Sequence, residues 1–253
     1  MITLSRQVES WGTVILFELS SQQVSEDKLI QAFSEAEKFI YHVDEVFSTY
    51  KENSIISQLK REEIEISSCS HEVQEVWGLC KNTMELTDGA FNPWLKGFDP
   101  SGLVKGWAAQ KCGEIFEKYG VENSLVNAAG DLALRGGLLK DGEVTPWEIG
   151  IRNPEIKDEI VESFKINTGA IATSGSYEKG AHIYDPFTNL IAIGAMSATV
   201  IGPDAAIADA LATALMVSGK DGAIWFSKPE LKSYSVFVIE RNSDQSWSIT
   251  SSS

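Results

Sequence analysis

Strand-length apolar runs crowd the second half of this chain, and the longer helical periods mostly precede them. "SLVNAAGDLALRGG" reads as a strand, a small-residue turn and another strand. "PWEIGIRNP", "ESFKINTGAIATSG", "NLIAIGAMSATVIG" and "YSVFVIERNSDQSWSIT" supply more strands, and "TVILFEL" adds one near the start. Glu26 to Val46 predicts an amphipathic helix, because Leu29, Phe33, Ala36, Ile40, Val43 and Phe47 recur at helical spacing. Two further helices are predicted, from Val73 to Leu86 and from about Val104 to Tyr119, with Gly120 suited to the position just past the end. "FSTYKENS" reads as a loop. Strands clustered in this way around an opening helix imply α+β with a largely antiparallel sheet and packed helices, not a βαβ repeat. No clean linker divides the chain, so residues 1–253 are expected to form a single domain, with 251–253 a frayed Ser-rich tail.

A chain of 253 residues can bury roughly three-quarters of its unfolded surface and needs no covalent staples. Its net charge of -15 argues against unaided nucleic-acid binding. An anionic ligand would require a local positive site or a metal. The three cysteines, Cys69, Cys80 and Cys112, form no CxxC or zinc spacing and read as reduced, mostly buried thiols. No segment approaches the roughly 20 apolar residues of a membrane span. The opening residues lack a signal-peptide pattern, so the expected location is cytoplasmic.

"IADALATALMVSG", Ile207 to Gly219, raises a chemical question. Ala and Leu favour a helix, yet Asp209 and Thr213 stand four apart and so share one face. Both are poor helix-interior residues and costly to bury without partners. Elsewhere, "TDGAFNP", "FDPSG", "NAAGD" and "IYDPFTN" place acids in small-residue turns. Each alone is an ordinary turn. No GxGxxG follows a strand, and no Walker loop, HExxH or GxSxG occurs. His42 and His71 read as structural. His182, beside an Asp-Pro turn, either faces a cleft or serves the turn.

These stretches, taken in order, resemble the ApbE family, the flavin transferases that move FMN from FAD onto proteins. The resemblance rests on "WGT", "FSTYKENSIISQL", "TDGAFNP", "FDPSGLVKGWA", "LVNAAGDL", "PWEIGIRNP", "INTGAIATSGSYEKGAHIYDP" and "SATVIGPDAAIADALATALMVSG". It implies an ApbE-like, T-fold-like domain and a magnesium ion held by Asp209, Thr213 and the Gly102 carbonyl. Magnesium prefers hard oxygens and leaves positions for phosphate and water. The competing reading has Thr213 bonded back to the 209 carbonyl and Asp209 paired with an arginine.

The resemblance also implies FAD contacts at Trp11, Tyr50, Ala90, Phe91, Asn92, Asp99, Lys105 and His182. Lys105 would be either a point charge on the pyrophosphate or a solvated helix lysine. His182 would relay the acceptor's proton or only hold the cofactor, and with Asp209 it forms the expected catalytic set. Gly130 and Gly175 would let the backbone approach closely.

The implied reaction is transfer of FMN from FAD to a Ser or Thr hydroxyl of an acceptor protein, with release of AMP. Two other readings are a metal-dependent FAD pyrophosphatase and a flavin-binding protein without chemistry. The implied acceptor carries an Asp-x-x-(Ser/Thr)-x-(Ala/Thr) motif. Here Asp185 and Thr188 come nearest, but Leu190 occupies the last position, so a separate acceptor is expected. The chain departs from the family in Trp11 for methionine, Ala129 for glycine and Asn189 in "DPFTN". Asp99 follows Pro93 by only six positions, which implies a shortened wall of the flavin pocket.

Overall fold

The computed structural model describes residues 2–156, 158–175, 183–242, 244 and 246–252. Its centre is an eight-stranded sheet in the order β1-β2-β3-β4-β9-β10-β11-β12. These strands are β1 (Ile2–Ser10), β2 (Thr13–Ser21), β3 (Asn123–Ala128), β4 (Asp131–Arg135), β9 (Gly169–Gly175), β10 (Ser197–Gly202), β11 (Ser235–Arg241) and β12 (Trp247–Ser252). Every neighbouring pair is antiparallel. The fold is therefore α+β with an antiparallel core, as the strand clustering implies. Where the Ser-rich end predicts fraying, Ser251 and Ser252 instead pair with Phe237 and Val236 at the sheet edge. Backbone pairing with β11 outweighs the weak local propensity there.

Alternation along the strands gives the sheet two apolar faces. One face carries Ile15, Phe17, Val126, Ala128, Ala170, Ala172, Ala198 and Val200. Against it pack α1 (Glu26–Phe47), α4 (Val104–Lys118) and α5 (Ala205–Ser218). Phe17, Phe33 and Phe116 meet at this junction, with ring centroids 5.5 to 6.2 Å apart. The short α2 (Ile55–Lys60) follows the predicted loop and is capped by the Ser54 side chain, which accepts from the Ser57 N–H. The remaining helix, α3 (His71–Leu86), contributes Val73, Val76 and Cys80 to the same core. The other sheet face holds Leu132, Leu134, Ile171, Phe237 and Ile239. It is covered by the hairpin of β7 (Trp147–Arg152) and β8 (Ile160–Ile166). Between β4 and β7, β5 (Leu138–Lys140) and β6 (Glu143–Thr145) form a small hairpin of their own.

Helix α5 lies deepest. Its residues from Ala205 to Ala212 are all buried. Asp204 caps its start by accepting the Ile207 N–H at 2.9 Å, and Gly219 ends it with φ of 55°. Two tight hairpins finish one end of the sheet. Trp11–Gly12 joins β1 to β2, and Ala129–Gly130 joins β3 to β4, with φ of 56°, 68°, 60° and 99°. Left-handed backbone at both turn positions matches the twist of the flanking strands. Among the described residues, no helix is long and apolar enough to cross a membrane.

Candidate active site

The buried helix delivers its acid to the start of α4. Asp209 is 1% exposed, so its charge must be met by protein groups. The Lys105 Nζ lies 3.2 Å from Oδ1 and 3.1 Å from Oδ2, and the Gly106 N–H donates to Oδ2 at 3.2 Å. Lys105 also donates to Asp131, the first residue of β4, in a short bond. Burial alone would lower the lysine's affinity for its proton. The flanking carboxylates outweigh it and hold the ammonium well above the usual lysine range.

Close packing of α4 on α5 makes this possible. A Cβ on Gly106 would stand 2.0 Å from the Ala205 carbonyl oxygen and 3.0 Å from the Asp209 Cβ. One turn along α5, Thr213 faces Gly102. A Cβ on Gly102 would lie 3.1 Å from the Thr213 Oγ1 and 3.3 Å from the Phe91 ring. Ser174, at the end of β9, brings its Oγ to 3.4 Å from the same threonine oxygen. The turn carrying Phe91 is pinned by Thr87, whose hydroxyl accepts the Phe91 N–H at 3.1 Å and donates to the Thr83 carbonyl at 2.8 Å.

These elements enclose a cleft of about 210 Å³. Ala90, Phe91, Asn92, Asp99, Gly102, Lys105 and Thr213 all line it. So do Ser174 and Tyr184, over whose ring the Lys96 ammonium sits at 3.1 Å. Asn92 and Asp99 each spend one side-chain oxygen on a local N–H, of Trp94 and Ser101, both at 3.0 Å. Trp11 lies apart in its hairpin turn, partly buried against the main core. Tyr50 is 95% exposed after α1 and does not line the cleft. His182 lies outside the described residues.

Two outcomes differ from the sequence reading. Asp209 pairs with a lysine, not an arginine, and Lys105 is an ion-paired lysine, not a solvated one, with its side chain still in the lining of the cleft. The sequence does not single out Asp131: "NAAGD" marks it only as an acid-bearing turn, and sheet pairing sets the acid opposite α4.

The donor set suits a hard cation. Asp209 and Thr213 offer oxygens on one helix face, Gly102 adjoins them, and an ammonium already occupies the carboxylate. Among the described residues, no group of three or more His, Cys, Asp or Glu gathers. A magnesium site that takes few protein ligands does not need one.

The model of the ApbE family matches residues 11–98 and 94–238. The chain belongs to the ApbE family. A FAD:protein FMN transferase of Vibrio cholerae is 36% identical over 134 residues, 49% of this chain and 39% of that protein. One from Escherichia coli K12 is 33% identical over 159 residues, 59% of this chain and 44% of that protein. The matched stretches thus span about two-fifths of the length of these curated relatives.

Solved ApbE structures share the fold over nearly their whole length. The flavin transferase ApbE from Vibrio cholerae superposes with a TM-score of 0.82 at 23% identity, covering 100% of this chain and 97% of that one. The ApbE protein of Thermotoga maritima gives 0.80 at 23% identity, over 98% and 96%.

Proposed function

We propose that this protein transfers FMN from FAD to a serine or threonine hydroxyl of a separate acceptor protein, releasing AMP. One observation carries the reading. In a chain of the ApbE family, Thr213 and Gly102 line a cleft with the Ala90–Phe91–Asn92 turn, and Lys105 in the same lining reaches the buried Asp209, one turn from Thr213 on α5. The acceptor hydroxyl attacks the FMN-side phosphorus, the bond to the bridging oxygen breaks, and AMP leaves with that oxygen. The hydroxyl proton must be taken up nearby, and His182 is the group assigned to that step or to holding the cofactor.

Asp209, Thr213 and the Gly102 carbonyl would hold magnesium, which when bound offsets the charge that develops on the pyrophosphate. Phe91 and Ala90 supply an apolar wall, Asp99 a hydrogen-bond acceptor for the nucleotide, and Lys105 a positive charge beside the phosphates. At about 210 Å³ the cleft is below the roughly 300–1,000 Å³ of a typical ligand site. A dinucleotide would fill it with one end and lie along the rim with the other. The short path from Pro93 to Asp99 leaves that rim open, so the acceptor protein would complete the cover over the flavin.

The reading predicts a preference for FAD over FMN, since cleft and rim together grip more than the flavin half. Fluorescence titration should show FAD binding at least roughly tenfold more tightly, a difference of about 1.4 kcal/mol. Equal affinities would count against the assigned cleft.

A further inference from the structure

We propose that Lys105 is a resident counter-cation of the metal site, displaced when metal binds, and that Asp131 is the positioning residue that receives it. The inference rests on the reading of Asp209 as a metal ligand. Both Asp209 oxygens lie within 3.2 Å of the Lys105 Nζ, and Oδ2 is further tied to the Gly106 N–H. A cation arriving at Asp209 must therefore take an oxygen that the lysine holds. Metal and ammonium compete for the same acceptor, and like charges this close repel strongly in a site with little water.

The lysine has somewhere to go. Asp131 already accepts from it and is only 2% exposed. A compact charge on a flexible four-carbon stem can give up one carboxylate while keeping the other. Its side chain is 22% exposed along the cleft it lines, so it is not sealed on every side. The charge balance supports such an exchange. With the metal absent, the Lys105 ammonium lies between the Asp131 and Asp209 carboxylates. With metal and a dianionic pyrophosphate both present, the local net charge is unchanged, and the lysine stays beside the phosphates as a second positive group.

Asp131 thus acts through Lys105 and not on the metal. This separates it from an ordinary structural acid. Manganese(II), used alone without flavin and followed by the EPR signal of the free ion, tests the idea on the full chain. Lys105→Met should tighten manganese binding by roughly tenfold or more, because its competitor is gone. Asp131→Asn should weaken binding several-fold, because the lysine is left with Asp209 alone. The double variant should bind more tightly than Asp131→Asn alone, because the competitor that Asp131 draws off is gone with the lysine. Lys105→Gln, with folding checked by circular dichroism, repeats the test should methionine beside two carboxylates prevent folding.

Asp209→Asn should abolish binding in every background. If it does so while Lys105→Met and Lys105→Gln leave manganese affinity unchanged or weaker, the displacement proposal fails and the metal reading stands. If Asp209→Asn binds manganese as well as the parent protein, both fail.

Discussion

Asp209→Ala is expected to abolish flavin transfer while leaving the folded protein nearly as stable as the parent. The carboxylate is the only charged group on α5, one turn from Thr213 in the cleft lining, and the proposed reaction develops negative charge beside it. Loss of a metal's contribution to such a transition state amounts to several kcal/mol, or about 10³-fold in rate or more. Stability should change little for two reasons. Alanine is the better helix former, and Lys105, left by Asp209, still has Asp131 as partner. A buried charge with no partner at all would have been far costlier. Thr213→Ala should be milder in activity, since a neutral hydroxyl contributes less to a cation than a carboxylate. Product analysis by chromatography and melting followed by circular dichroism would check both halves. Normal turnover by Asp209→Ala would remove the metal assignment.

Gly106→Ala should do the reverse and damage the fold. Alanine is the smallest change possible and is favoured in helices by about 1 kcal/mol over glycine. Here that gain is overwhelmed. The new methyl would stand 2.0 Å from the Ala205 carbonyl oxygen, which belongs to backbone and cannot turn aside. Helices α4 and α5 would have to separate, opening the core that Leu211, Leu215 and Trp107 close. Overpacking of this kind costs about 3 kcal/mol, and more where backbone must move. For a chain of this length that means a fall in melting temperature of roughly 6–12 °C. The same separation would draw Lys105 and the Gly106 N–H away from Asp209, so metal binding should weaken as well. A melting temperature within a degree of the parent would show that the two helices are not locked at this point.

How much of this could be read beforehand follows from the range of each interaction. Helix α5 was legible because Ala and Leu dominate "IADALATALMVSG", although the helix starts earlier, at Ala205 behind its cap Asp204. The cleft was legible in outline only through the resemblance, whose motifs carry Ala90, Phe91, Asn92, Asp99, Gly102 and Lys105, all of which line it. The Lys105–Asp131 pair was not, for its members are 26 positions apart and meet only because β4 joins the sheet beneath α4. Gly106 carries no signal of its own in "VKGWA", since nothing local reveals a helix crossing. The β7–β8 hairpin reads as two more strands of the main sheet. It leaves that sheet because Trp147 and Ile151 find their burial on the sheet's face and not along its edge.

Mass spectrometry of an acceptor peptide tests the transfer most directly. The peptide should carry Asp-x-x-Thr-x-Ala and be incubated with the protein, FAD and magnesium. The account predicts a mass increase equal to FMN less water, with AMP formed in equal amount, and no increase when the peptide's threonine is replaced by alanine. Free FMN and AMP as the only products, with the peptide unmodified, would contradict it and identify a pyrophosphatase instead.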